Sequence, residues 1–173
     1  MIKEICSIED FDKAAEEWNI KSNFTFWTSS LASSKNHRFN PDSIEQKLRF
    51  MFLEGLNNPE AKDKVKIWSY EKNKQSIAGC VFVETYNFLL GENCLQEILW
   101  QFNGKFASSF EEIKILNALF KNAENYATTK KLDSIVIGRD PKIHKPFKEI
   151  QIKNFYTNQG YHPFSVFYIK SLK

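Results

Sequence analysis

The sequence predicts an α/β fold built on one mixed sheet, and three observations lead there. Between residues 65 and 102, three strand-like runs follow one another with short polar turns between them, the pattern of an antiparallel meander. From about 108 to 130 comes a strongly periodic helix. Directly after it, LDSIVIG at 132 to 138 is the short apolar run of a buried parallel strand. Strand, helix and parallel strand in that order make a right-handed crossover, so a single sheet must hold both antiparallel and parallel pairs.

Taken in order, the elements each have a local cause. IKEICS at the start alternates as a short strand. Ser7 can then cap a helix with Glu9 and Asp10 in its first turn, where acidic groups meet the positive end of the helix dipole. Ile8, Phe11, Ala15 and Trp18 give that helix one apolar face. Residues 19 to 39 show no stable period and read as a loop with a short helical piece. Asn40 caps a second helix with Pro41 in its first position and Ile44, Leu48, Phe52 and Leu56 at four-residue intervals, stopping near Asn57, Asn58 and Pro59. VKIWSYEK at 65 to 72, the turn KNKQ and the run SIAGCVFVETYNFLL predict a hairpin. Gly91, Glu92 and Asn93 predict the next turn, and LQEILWQF at 95 to 102 the third strand, with Glu97 on the face of Leu95 and Leu99 and with Ile98, Trp100 and Phe102 opposite. Ser108 with Glu111, or Ser109 with Glu112, forms a capping box for the long helix, whose buried stripe is Ile113, Leu116, Phe120, Ala123 and Ala127. RDPKIHKPF at 139 to 147 is a loop, 148 to 159 a helix stopped by Gly160, and FSVFYIKSL a closing strand.

Composition bounds the function. At 173 residues the chain suits one domain, 1–173, around one core. Its 42% apolar and 26% charged residues, with 16 Phe and 4 Trp, exclude a disordered class. The 24 basic and 21 acidic residues are interspersed, so charge gives no strong nucleic-acid signal. Abundant Lys and Asn fit an AT-rich genome, viral or low-GC bacterial. Cys6, Cys80 and Cys94 have no CxxC spacing, which argues against a disulfide framework or a thiolate metal site. No leader-like apolar region opens the chain and no run reaches a membrane span, so a soluble cytoplasmic protein is expected. His37, His144 and His162 are scattered, and no GxSxG or GxxxxGK[ST] motif occurs.

Residues 154 to 164 read NFYTNQGYHPF: a helix bearing a tyrosine, a Gly-aromatic pair, then the closing strand. This segment, with the element order, Ile77, Ala78 and Gly79 leading into the central strand, LQEILWQF, and LFKNAENYA at 119 to 127, resembles the GNAT N-acetyltransferase superfamily. The resemblance spans about residues 65 to 172 and rests on order and spacing rather than on one diagnostic motif. It implies a three-layer fold, a central mixed twisted sheet with helices on both faces. It also implies acetyl transfer from acetyl-CoA to an amine acceptor by direct attack in a ternary complex, the cofactor lying between two splayed strands with its pyrophosphate on the N-terminus of the crossover helix.

On this resemblance Glu97 is the expected base and Tyr156 the acid at the departing sulfur, while Phe102, Asn103, Gly104, Lys105, Ser108, Ser109 and Asn154 border the cofactor, with no metal. The family's basic or Gln residue followed by glycines is missing. In its place stand Glu111 and Glu112, which should repel a pyrophosphate, and Gly104, Lys105 and the serine hydroxyls read either as a substitute anion loop or as a structural polar cap before the helix. The plainer reading of Tyr156 is an aromatic anchor at a helix end, and of Glu97 a strand carboxylate in water. Lys142, His144, Lys145 and Lys148 read as a solvated basic edge. The alternative function is a catalytically inactive GNAT-fold binding or structural protein, virus-encoded, resting on the lost glycine loop and on an aromatic surplus at residues 24 to 27 and 50 to 53 that suits a protein partner or a homo-oligomer.

Overall fold

The computed structural model of the chain describes residues 1–18, 46, 49, 50, 54, 58, 64–88, 90–102, 109–137, 154 and 156–162, with side chains for all of these except 99–102, 109 and 110. Its elements are β1 (Ile2–Glu4), α1 (Ile8–Glu17), β2 (Val65–Lys72), β3 (Gln75–Asn87), β4 (Glu92–Phe102), α2 (Ser109–Thr129) and β5 (Ser134–Val136). The strands form one sheet in the order β1-β2-β3-β4-β5. The first three pairings are antiparallel and β4 with β5 is parallel, the mixed α/β sheet that the element order requires.

Ser7 caps α1 as expected, its hydroxyl accepting from the Asp10 N–H at 3.1 Å. The helix buries Phe11, Ala14, Ala15 and Trp18 against Ile67 and Val81 on one sheet face. α2 covers the other face, where Trp68, Phe82, Leu95, Leu119 and Phe120 make the larger core. Helices on both faces of the sheet give three layers. The α2 stripe is as expected at Leu116, Phe120, Ala123 and Ala127, which are buried, but it also takes in Ile115 and Leu119, whereas Ile113 is half-buried. The sheet lies under a broader arc of this helix than one side chain per turn would cover.

The β2–β3 hairpin turns on Asn73 and Lys74, both at positive φ, 52° and 63°. That is the primed turn whose twist matches two antiparallel strands. β4 starts earlier than its alternation suggests, because Glu92 and Asn93 already pair with Asn87 and Tyr86. Among the second helix's residues, Gln46, Arg49, Phe50 and Glu54 are helical, the Asn58 N–H donates to the Glu54 carbonyl at 2.8 Å, and Phe50 is exposed. The loop of residues 19 to 39, the loop of 139 to 147 and the closing strand lie outside the described residues. Among the described residues no helix is long and apolar enough to cross a membrane.

The face under α1 explains Gly79. Trp18 is fully buried and lies against β3, so a Cβ on Gly79 would stand 1.9 Å from its Cζ2. Only a residue without a side chain lets the indole approach so closely. The ring is fixed from its other end, since Nε1 donates to the Ser76 hydroxyl at 2.6 Å and the Ser76 N–H donates to Glu17 Oε2 at 2.6 Å. Ser69, also buried, completes the network by bonding Ser76.

Candidate functional site

The candidate site gathers on the fourth strand, on the face that α2 covers. Among the described residues, β5 pairs with β4 at Cys94, Leu95 and Gln96. From Glu97 to Phe102, β4 keeps its β3 partners and, among the described residues, has none on the β5 side. A β-bulge stands at the same point: Phe82 pairs with Glu97 and Val81 with Leu99, which leaves Ile98 as the extra residue. Bulges re-aim the side chains beyond them. The pairing puts Glu97 opposite Phe82, on the face of Leu95 that α2 covers, and Glu97 is half-buried there. Leu99, expected on that same face, instead pairs with Val81 of the α1 face, while Trp100 and Phe102, expected on the opposite one, pair with Cys80 and Ala78 of the α2 face. Simple alternation cannot anticipate the one-residue slip.

The helix bearing Tyr156 ends in a Schellman motif. The Tyr161 N–H donates to the Tyr156 carbonyl at 3.0 Å, the Gly160 N–H to the Thr157 carbonyl at 3.0 Å, and Gly160 sits at φ +84°. The motif normally brings together the two side chains that flank it, and here these are aromatic: the Tyr156 and Tyr161 rings meet edge to face at 6.0 Å. Both also pack on Phe120 of α2, at 5.6 and 5.7 Å. The Tyr161 hydroxyl donates to Glu124 Oε1 at 3.1 Å. Burial first, then Glu124, Tyr156 and Glu97, push the Tyr161 phenol far above its ordinary value of 10.0. Glu97 and Tyr156 thus lie within electrostatic reach of one phenol. On α2, three residues before Phe120, Asn117 has its Oδ1 buried with no hydrogen-bond partner among the described residues.

The start of α2 carries its two carboxylates differently. Lys72 at the end of β2 pairs with Glu111. Glu112 has no such partner as the cause of its shift; burial alone raises its carboxyl above the ordinary value of 4.5.

Of the residues singled out in the sequence, Glu97 lies on the α2-covered face of β4 and Tyr156 packs on Phe120 of α2, both half-buried. Asn154 is helical and exposed. Phe102 ends β4 opposite Ala78, and Ser109 is the first residue of α2 and not its cap. Asn103, Gly104, Lys105 and Ser108 lie outside the described residues. Sequence reasoning missed Asn117, Phe120 as a ring contact, Glu124 and Lys72. The spacing of 117, 120 and 124 along one helical strip was the available signal.

No protein-family model matches the chain, and no curated protein does. Solved structures do. The chain is similar to the tetramutant of the BH1408 protein from Bacillus halodurans, with TM-score 0.64 and 12% identity over 99% of each chain. It is similar to a possible acetyltransferase from Clostridium difficile 630, with TM-score 0.62 and 13% identity over 100% of this chain and 98% of that one. A GNAT family acetyltransferase from Staphylococcus aureus subsp. aureus USA300_TCH1516 aligns with TM-score 0.57 and 11% identity over 99% and 98%. The fold of this chain is therefore that of the GNAT acetyltransferases.

Proposed function

On that fold, we propose that this chain is an acyl-CoA-dependent N-acyltransferase that passes an acetyl group to an amine by direct attack in a ternary complex. The observation that carries the reading is the bulge of β4 at Ile98, beside Glu97, with Tyr156 held against α2 by Phe120. In this reading the β4 backbone beyond Glu97 offers N–H and C=O groups to a thin amide-bearing arm. The buried Asn117 Oδ1 offers an acceptor to an amide N–H, and a buried acceptor is rarely left unused. These groups fit acetyl-CoA.

When bound, acetyl-CoA supplies a thioester whose carbonyl an amine can attack. The chain supplies the proton chemistry. Glu97 takes a proton from the acceptor's ammonium, which leaves the nitrogen lone pair free to attack, and the Tyr156 hydroxyl gives a proton to the departing sulfur. Asn103, Gly104, Lys105, Ser108 and Ser109 serve the pyrophosphate in place of glycines, with Phe102 and Asn154 bordering the cofactor. Lys72, by engaging Glu111, lowers the negative field that an anion meets at the start of α2.

Calorimetric titration of the purified chain with acetyl-CoA and, separately, CoA tests this. Saturable binding at micromolar ligand is expected, followed by transfer to an amine in an acceptor screen. No heat and no thermal shift at millimolar ligand sinks the reading and leaves a GNAT fold that binds something else.

A further inference from the structure

Tyr156 stands in the last turn of its helix, a place where helices fray and side chains change rotamer. A proton donor there is useful only if its ring is held to within a fraction of an ångström and a few tens of degrees. Three contacts hold it. Its carbonyl accepts from the Tyr161 N–H. Its ring lies edge-on to both Tyr161 and Phe120, at 6.0 and 5.6 Å with interplanar angles of 79° and 83°. The far end of Tyr161 is tied to α2 through Glu124 at 3.1 Å, four residues on from Phe120 and so on the same strip of that helix.

We propose that Tyr161 and Glu124 form a positioning clamp for Tyr156, deepening the acyltransferase reading in which Tyr156 is the acid. The clamp works because the bond from the Tyr161 hydroxyl to a carboxylate is charge-assisted and directional. It fixes the one rotatable end of a ring whose other end is bound into the Schellman motif. The groups that face the Tyr161 hydroxyl are Glu124, Tyr156 and Glu97, and with burial all of them favour the protonated phenol. Tyr161 therefore stays a donor to Glu124 and does not release its proton at neutral pH. Of the two tyrosines in the motif, one can move a proton and the other holds the first in place.

The test uses the full chain labelled with [13Cζ]tyrosine, the Tyr156 signal being assigned by its loss in Tyr156→Phe. Tyr161→Phe keeps the ring and removes the tether. Glu124→Leu removes the acceptor, and Glu124→Gln keeps an acceptor without charge. The Tyr156 signal is expected to shift or broaden in Tyr161→Phe and Glu124→Leu and to return toward wild type in Glu124→Gln. In the transfer assay kcat should fall about 5- to 10-fold in the first two, with KM for acetyl-CoA unchanged, and regain most of its value in Glu124→Gln. A Tyr156 signal that superimposes on wild type in both tether-free variants, each folded by circular dichroism, overturns the clamp. So does a shifted signal with an unchanged kcat. The spectra need no substrate, so they judge the clamp separately from acetyl-CoA binding to the wild type. Absence of that binding removes the acyltransferase reading itself and the clamp's catalytic purpose with it.

Discussion

Changing Gly79 to Ala adds one methyl group, and the structure sets its cost. The added carbon would meet the Trp18 ring at 1.9, 2.3 and 2.5 Å from three of its atoms, against an ordinary carbon contact of roughly 3.5 to 4.0 Å. The ring must retreat by well over an ångström. Trp18 is fully buried and its Nε1 is bonded to Ser76, so retreat forces the α1 packing apart and stretches that bond. Overpacking of this kind costs about 1 to 3 kcal/mol and loss of the bond about 1 kcal/mol more, for a sum of about 2 to 4 kcal/mol. For a domain of this length that lowers Tm by about 4 to 15 °C. Urea or thermal unfolding followed by circular dichroism reads it. The same substitution in a Trp18→Leu background should cost less than about 1 kcal/mol, because the obstructing ring is gone. A loss below 1 kcal/mol in the wild-type background, or strictly additive single and double variants, would refute the claim that the indole dictates glycine here.

Four further outcomes are expected. Tyr156→Phe removes a proton donor and keeps the ring, so turnover should slow by about 100-fold or more while the fold is kept; an unchanged rate removes Tyr156 from the chemistry. Glu111→Gln takes one negative charge from the start of α2 and frees Lys72, so acetyl-CoA should bind about 3- to 10-fold tighter at low salt and less so at high salt, read by calorimetry. Burial raises the Glu112 carboxyl in the folded chain, so its contribution to stability is complete below the ordinary value near 4.5 and is lost as pH climbs through the higher folded value. Glu112→Gln should accordingly raise Tm at pH 7 and leave it unchanged at pH 3. Lys131 sits at φ +56° at the end of α2, where the Leu132 N–H reaches back to the Ala127 carbonyl; Lys131→Gly should stabilise the chain by about 0.5 to 1 kcal/mol in a urea titration.

What could be read from the chain was what neighbouring residues decide together. The cap at Ser7, the bounds of β2, the polar turn at Asn73 and Lys74, the long helix and its successor strand, and the stop at Gly160 all follow from spacing, capping or turn chemistry within a few residues. The bulge at Ile98 is a property of pairing, and nothing in LQEILWQF differs from an even strand. The burial of Ile115 and Leu119 ahead of Ile113 depends on how α2 is rotated over the sheet. Trp18 and Gly79 explain each other only once β3 lies under α1. In the candidate site the same division holds: Glu97 and Tyr156 could be named from a resemblance in order and spacing, whereas Asn117, Glu124 and Lys72 matter through what they meet.

The carboxylates at the start of α2 show why the distinction bears on function. Taken as sequence, Glu111 and Glu112 are two like charges where a pyrophosphate is expected, and they argue for a fold that has lost its cofactor. In the structure they are not equivalent. Glu111 is engaged by Lys72 from the neighbouring hairpin, and burial works against the charged form of Glu112. The local field that an anion meets is therefore weaker than the two letters suggest, and one of its sources can be exchanged, since an arriving phosphate can take Lys72 from Glu111 at little cost to a surface ion pair. The missing glycines still leave close backbone approach to be supplied by residues 103–108. A charge objection has become a question of geometry, which binding to the Glu111→Gln and wild-type chains can separate: if both fail to bind acetyl-CoA, the obstacle is the shape of the loop and not its charge.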